Sequence, residues 1–405
     1  MSDAAAELAE VVRGQWSRIF SAVVRYTGSV ELAEDSLQEA LARALVARDR
    51  QVLLNPAAWV TTVAKRIAVD TVRRDVALRE RFPLLVSAPL GEAIELEAPG
   101  GDDRLGMLLL ACSPELAPET RVALALRFVL GAPTDAIADA MLVDHRAMSA
   151  RLTRAKRRIE SSGIRFELPD VADRGRLDDV LSTVSVLYTI GHTASRGSEL
   201  RTERSAQVAI ELARALRRAY PDDVEVAGLL GMLLLTEART ATRQDDSGTL
   251  VTLEHADRTK WNAALISEGL GLAVVGLGGG GRFGLQAGLA GLHSAAPSWE
   301  STDWNEIVRL YDALIRLWPS PAALLARAVA SSFGPAGPDA ALRQLDAMPQ
   351  MAGAAHRQSL AVRADLLRRA NRPLEAGAAY LAAMSLEHNE TVRGYLTERI
   401  RTTDR

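Results

Sequence analysis

Two stretches of the chain carry many more bases than acids, and both do so at helical spacing. Residues 55–74 read NPAAWVTTVAKRIAVDTVRR, with Lys65, Arg66, Arg73 and Arg74 against the single acid Asp70. From His145 to Arg165 there are seven Lys or Arg and one acid, Glu160. Rows of ammonium and guanidinium groups neutralise phosphates, and hydroxyls such as those of Thr61 and Thr62 donate hydrogen bonds to them. The chemistry on offer is binding of a polyanion. Patterns for bond-making chemistry are missing. Gly276, Gly278 and Gly281 fit GxGxxG, but no strand precedes them and no βαβ pattern surrounds them. The six histidines form no HxxxH or HxH pair, and one cysteine, Cys112, cannot build a zinc site. Asp245, Asp246 and Glu254 lack the ligand spacing of a calcium loop. No catalytic residue, metal site or cofactor site is expected.

The elements that must hold these basic rows are helices. Of 405 residues, 48% are apolar but only 4% aromatic, and Ala, Leu, Val and Arg dominate. That favours helix over strand. The net charge of −3 means that any nucleic-acid surface is local. A single cysteine rules out an intramolecular disulfide framework and suits a reducing cytoplasm. The N-terminus is no secretory signal, and no apolar run is long enough to cross a membrane. GLGLAVVGLGGGG (269–281) reads as a helix running into a loop.

Breaks in the pattern divide the chain into an N-terminal helical zone (1–75), a linker rich in Pro, Gly and acids (76–104), a second helical zone (105–165) and a large C-terminal helical zone (171–405). In the first, Trp59, Val63 and Ile67 form the apolar stripe expected to pack on the core. In the last, Ala364, Ala376, Tyr380 and Ala383 have the small-small-aromatic-small offsets of a tetratricopeptide repeat, and Ala328 and Ala340 repeat the first offset upstream. The expected fold is all-α.

Residues 134–160, TDAIADAMLVDHRAMSARLTRAKRRIE, read as a helix-turn-helix. Ile137, Ala138 and Met141 face inward in the first helix. Asp144 caps the second by accepting from its free N–H groups. Met148, Leu152, Ala155 and Ile159 recur as a buried stripe. The opposite face offers His145, Arg146, Ser149, Arg151, Thr153 and Arg154, with Lys156, Arg157 and Arg158 following. A recognition helix enters the major groove by its N-terminal residues, which leaves the basic tail near phosphates. An ordinary hairpin with a solvated basic face has the same pattern.

The N-terminal zone discriminates. AEDSLQEALARAL (33–45) followed by NPAAWVTTVAKRIAVDTVRR resembles region 2 of bacterial sigma factors, the promoter-recognition subunits of RNA polymerase. LAPETRVALALRFVLGAPTDAIADAMLVDHRAMSARLTRAKRRIE (116–160) resembles region 4. Their order and spacing are those of extracytoplasmic-function sigma factors. The C-terminal zone is similar to the helical extension of the ECF42 subfamily. The resemblance implies that Asp35, Gln38 and Glu39 dock on the clamp helices of core polymerase, with region 4 at its flap. It implies that Thr61, Thr62, Lys65, Arg66, Arg73 and Arg74 hold the −10 strand. His145, Arg146, Ser149, Arg151, Thr153, Arg154, Lys156 and Arg157 would meet the −35 element. The function implied is promoter-specific initiation in the cytoplasm, with the C-terminal domain regulating it and open to a regulatory protein or ligand, and with no membrane partner. Melting about ten base pairs at ~1.4 kcal/mol per step would then draw on differential binding to the open strand.

The chain departs from that subfamily in three places. Ala111-Cys112-Ser113-Pro114 stands where it has Cys-Cys-His-Pro. Ile190 is followed directly by Gly191-His192 where it has a Phe-Asn-Glu-Gly run. His145, Arg146 and Ser149 replace commoner residues, which implies a divergent −35 sequence. The alternative function is a one-component operator-binding regulator whose helical domain senses a ligand. A third is a protein-binding scaffold built on the repeats alone.

Overall fold

The computed structural model describes residues 30–48, 55–81, 103–112, 116–162 and 174–403, with scattered positions between 12 and 27. The chain divides into two compact units, 1–133 with 154–183 and 134–153 with 184–405. Among the described residues there is no strand. Two isolated bridges, Gly197 with Asn389 and Gln244 with Leu250, are the extended pairings recorded.

The first unit is built on α1 (Val30–Arg48) and α2 (Pro56–Arg81). Asn55 starts α2: its Oδ1 accepts from Ala58 N at 3.1 Å, and Pro56 fills the first helical position, where its missing N–H costs nothing. The seam between the helices is small. Ala33, Leu37, Ala40 and Ala44 of α1 are buried, as are Ala57, Val60, Ala64, Ile67 and Ala68 of α2. This corrects the expected stripe. Ile67 is buried, but Trp59 and Val63 are only half-buried, because alanines, which permit close approach of two helices, take the inner face instead. Further along come α3 (Asp103–Ala111) and α4 (Pro118–Leu124), which runs into a π turn at Ala125–Val129. Trp16 donates from Nε1 to Phe128 O at 3.0 Å and stacks on Phe20. Gly131 sits opposite it at φ +69, where an added Cβ would come within 2.6 Å of the indole. Cys112 is buried, and burial together with the Asp179 carboxylate pushes its thiol far up, so it stays protonated. Asp179, near the start of α7 (Arg174–His192), pairs with Arg121 at 2.5 Å.

The second unit opens with α5 (Thr134–Ala140) and the first half of α6 (His145–Ser162). It continues through α8 (Glu203–Ala219), α9 (Val224–Glu237), α10 (Ala263–Gly278) and α11 (Arg282–Ala295). These are followed by α12 (Trp304–Leu317), α13 (Pro321–Ser331), α14 (Gly337–Asp346), α15 (Gly353–Arg369), α16 (Pro373–Ser385) and α17 (Glu390–Thr403). The GxGxxG segment is the end of α10. Gly276 and Gly228 of α9 touch backbone to backbone, and a Cβ on Gly284 of α11 would lie 2.1 Å from Gly276 O. Glycine here lets three helices cross with no side chain between them. Glu225, itself buried, accepts from Phe283 N and Gly284 N at 2.9 and 3.0 Å and thus satisfies the start of α11.

From α12 onward successive helices pack pairwise. Ala364, Ala376, Tyr380 and Ala383 are all buried in one cluster with Leu366, Leu367 and Leu396, as the repeat spacing predicts. The upstream copy slips by one residue: Ala328 is buried, but Ala340 is half-buried and Ala341 takes the inner position. The last helix ties back to the loop between α7 and α8. Asn389, 1% exposed, donates to Ala194 O and Glu199 O at 3.1 and 2.8 Å, and Glu390 N donates to Gly197 O at 2.8 Å.

Candidate nucleic-acid interface

Residues α5, the turn and α6 make the helix-turn-helix that the sequence predicts. Ile137 and Ala138 are buried, and Val143 N donates to Ala138 O at 2.9 Å across the turn. Leu142 takes the left-handed conformation, φ +55, in the turn between the two helices. Asp144 Oδ1 accepts from Arg146 N and Ala147 N at 2.9 and 3.1 Å, the cap read from the sequence. Met148, Leu152 and Ala155 are buried, which fixes the rotation of α6, and the side chain of Ile159 lies outside the described residues.

That rotation turns Arg146, Ser149, Thr153 and Arg157 outward along one line, at successive steps of three and four residues, with Arg154 and Arg158 beside them; all six are exposed. Three other predicted contacts sit elsewhere. His145 Nε2 is 3.0 Å from Asp139 Oδ1 of α5. Arg151 is half-buried, with Nη1 enclosed. Lys156 is half-buried and its Nζ reaches Glu34 Oε2 of α1 at 3.1 Å.

On α2, Thr62, Arg66 and Asp70 are exposed four residues apart, and Thr61 and Lys65 flank them half-buried. Thr61 and Thr62 donate to Ala57 O and Ala58 O at 2.8 and 2.9 Å, so their protons serve the helix in this state. Lys65 Nζ lies 5.2 Å from the centre of the Tyr26 ring. Arg73 and Arg74 are on the same helix, but their side chains lie outside the described residues.

The predicted polymerase-facing residues Asp35, Gln38 and Glu39 are exposed on α1. Gln38 donates to Glu34 Oε1 at 3.3 Å, and Glu39 pairs with Arg43 at 2.9 Å. Continuing that outer face by whole turns, Leu45 and Val46 are 46% and 55% exposed. Nothing in the sequence marks them as exposed, because apolar residues near a helix end pass for core.

A second constellation, also unseen in the sequence, lies on α5. Asp139 is buried, and besides His145 it faces Arg357 Nη2 of α15 at 3.8 Å. Arg357 in turn pairs with Glu387 at 3.2 Å. Arg196 pairs with Asp135 at 3.3 Å, and a Cβ on Gly353, at the start of α15, would lie 3.4 Å from Asp144 Cα and Val143 O. C-terminal helices therefore seat directly on the first helix and turn of the helix-turn-helix.

Among the described residues no group of three or more His, Cys, Asp or Glu could hold a metal ion, and no helix is long and apolar enough to cross a membrane. Comparison with known proteins agrees with the geometry. Residues 16–77 match sigma-70 region 2, residues 106–159 match sigma-70 region 4, and residues 176–274 match a family of unknown function, DUF6596. An uncharacterized protein of Rhizobium meliloti (strain 1021), R00370, is 36% identical over 386 residues, which cover 93% of this chain and 90% of the relative. No solved structure matches. With regions 2 and 4 in order, and a capped recognition helix that exposes a basic line, the chain belongs to the RNA polymerase sigma factors, of the extracytoplasmic-function type with a DUF6596 extension.

Proposed function

We propose that this sigma factor is one in which the C-terminal domain braces region 4 in the orientation that reads the −35 element, as a member of the ECF42 subfamily. The observation that carries the reading is the ion-paired seat on α5: Asp139 with Arg357, and Asp135 with Arg196. It holds the helix-turn-helix from the side while Arg146, Ser149, Thr153 and Arg157 stay exposed for DNA. Region 2 spans 1–75 in this reading, the linker 76–104, region 4 105–165 and the regulatory domain 171–405. Asp35, Gln38 and Glu39, extended by Leu45 and Val46, dock on the clamp helices of core polymerase. Thr61, Thr62, Lys65 and Arg66, with Arg73 and Arg74, hold the −10 strand.

An operator-binding regulator is less supported, since it has no use for a region 2. The test is promoter-directed transcription by core polymerase with the whole chain and with an Arg196→Ala, Arg357→Ala double variant. The variant lowers specific initiation several-fold at an unchanged start site. Equal activity from the two proteins, with the variant folded, rejects the brace.

A further inference from the structure

The region matched to the family of unknown function encloses an excess of positive charge. Arg239, just after α9, sits at its centre, within electrostatic reach of Arg243, Arg258, Tyr188 and Tyr311. Arg201 approaches from the loop before α8. Among the described residues one partly buried carboxylate answers these four guanidinium groups, and both its oxygens are occupied: Glu237 accepts from Arg201 Nη2 at 2.8 Å and from Tyr188 OH at 3.0 Å. Glu300, near Arg258, is exposed. Backbone carbonyls hold the other arginines in place. Arg239 Nε donates to Leu235 O at 3.1 Å, Arg258 Nη1 to His293 O and Ala296 O at 2.8 and 2.6 Å, and Arg243 Nη1 to His192 O.

Carbonyl dipoles orient a guanidinium but do not cancel its charge. Taking a cation out of water costs several kcal/mol unless an anion accompanies it. Burial and its arginine neighbours pull Arg239 down to about 10, and burial with the surrounding arginines holds His192 and His293 neutral, at about 3 and about 4. Three enclosed groups have no hydrogen-bond partner at all: Arg201 Nε, Arg258 Nη2 and His293 Nδ1. Fixed planar donors with unmet valence suit an oxyanion, which guanidinium binds through two parallel hydrogen bonds.

We infer that the arginine cluster around Arg239 is a binding site for a small, multiply charged oxyanion, carried as a phosphate or as a di- or tricarboxylate. Arg239 itself is buried, which restricts the ligand to a small molecule. The site lies inside the C-terminal unit, and its occupancy does not depend on how that unit acts on region 4.

Calorimetric titration and thermal unfolding of the full chain test this with inorganic phosphate, pyrophosphate, succinate and citrate, each against sodium chloride at equal ionic strength. Saturable binding and stabilisation by the phosphates alone, or by the carboxylates alone, assign the ligand class; a response to both assigns the oxyanion. Arg239→Met should weaken binding at least tenfold, while the protein without anion stays as stable as the parent or becomes more stable, because a buried cation has gone. Arg239→Lys should retain part of the affinity. The inference is overturned if no anion exceeds chloride, or if Arg239→Met binds as the parent does. A purely structural role for Arg239 predicts the opposite stability sign: the variant destabilised with or without anion.

Discussion

The arginines of α6 and those around Arg239 are the same residue in opposite surroundings. Arg146, Arg154 and Arg157 stand in solvent, where water and salt screen them and an absent partner costs little. Arg239 is packed among helices, where water cannot help, Arg243 is largely buried beside it, and Arg258 closes the cluster half-buried. The first set is free to trade its hydration for phosphates; the second must be served by something inside the fold. A basic row in a sequence therefore signals nothing until its burial is known.

Changing the enclosed side of the comparison should have the larger consequences. Gly284→Ala puts a methyl group into the Gly276 carbonyl. It should cost about 3 kcal/mol by overpacking a backbone crossing that cannot relax, measured by chemical denaturation of the whole chain. Acid should act next. His192 and His293 are held below their usual value when folded, whereas the unfolded chain protonates them near pH 6.5. Stability from these groups is present above pH 6.5 and lost as pH falls toward 4, on the order of a few kcal/mol. The stretch from 6.5 to 5 precedes most carboxylate titration, and replacing both histidines by Gln should flatten it. If the curve keeps its slope, these rings are not the protonated groups.

On the exposed side, Arg146→Ala should leave unfolding unchanged and weaken −35 binding by ~1–3 kcal/mol, with relaxed preference at one base pair if it reads a base. Loss of stability together with unchanged DNA binding would invert the contrast drawn here. The smallest effect is expected at the turn. Leu142→Gly should stabilise region 4 by about 0.5–1 kcal/mol, since relief of a left-handed leucine exceeds the added chain entropy. A destabilised variant would mean that the leucine side chain contributes more packing than its backbone costs.

Local features were legible in the sequence because local physics makes them. Asp144 announces a helix start, and the Met148–Leu152–Ala155 period fixes the face of α6. Where alanine does the packing, the hydrophobic pattern misleads: Ala57 and Ala64, with Val60, hold α2 rather than Trp59 and Val63, and Ala341 replaces Ala340. Alanine carries little hydrophobic signal but is the residue a close helix crossing selects. Contacts assembled from distant segments left no trace at all. Arg357 meets Asp139 across more than two hundred residues, and Tyr188, Arg258 and His293 come from three separate elements. Only the four-residue spacing of Arg239 and Arg243 hints at the cluster, and a solvated face has that spacing too.

The most direct test of the whole account is run-off transcription with the purified full chain added to core polymerase freed of its own specificity subunit. The chain should form a stable complex with the core and start transcripts at one position downstream of paired −35 and −10 elements, with initiation lost when either element is scrambled. A chain that binds DNA but neither joins the core nor directs a defined start would contradict it.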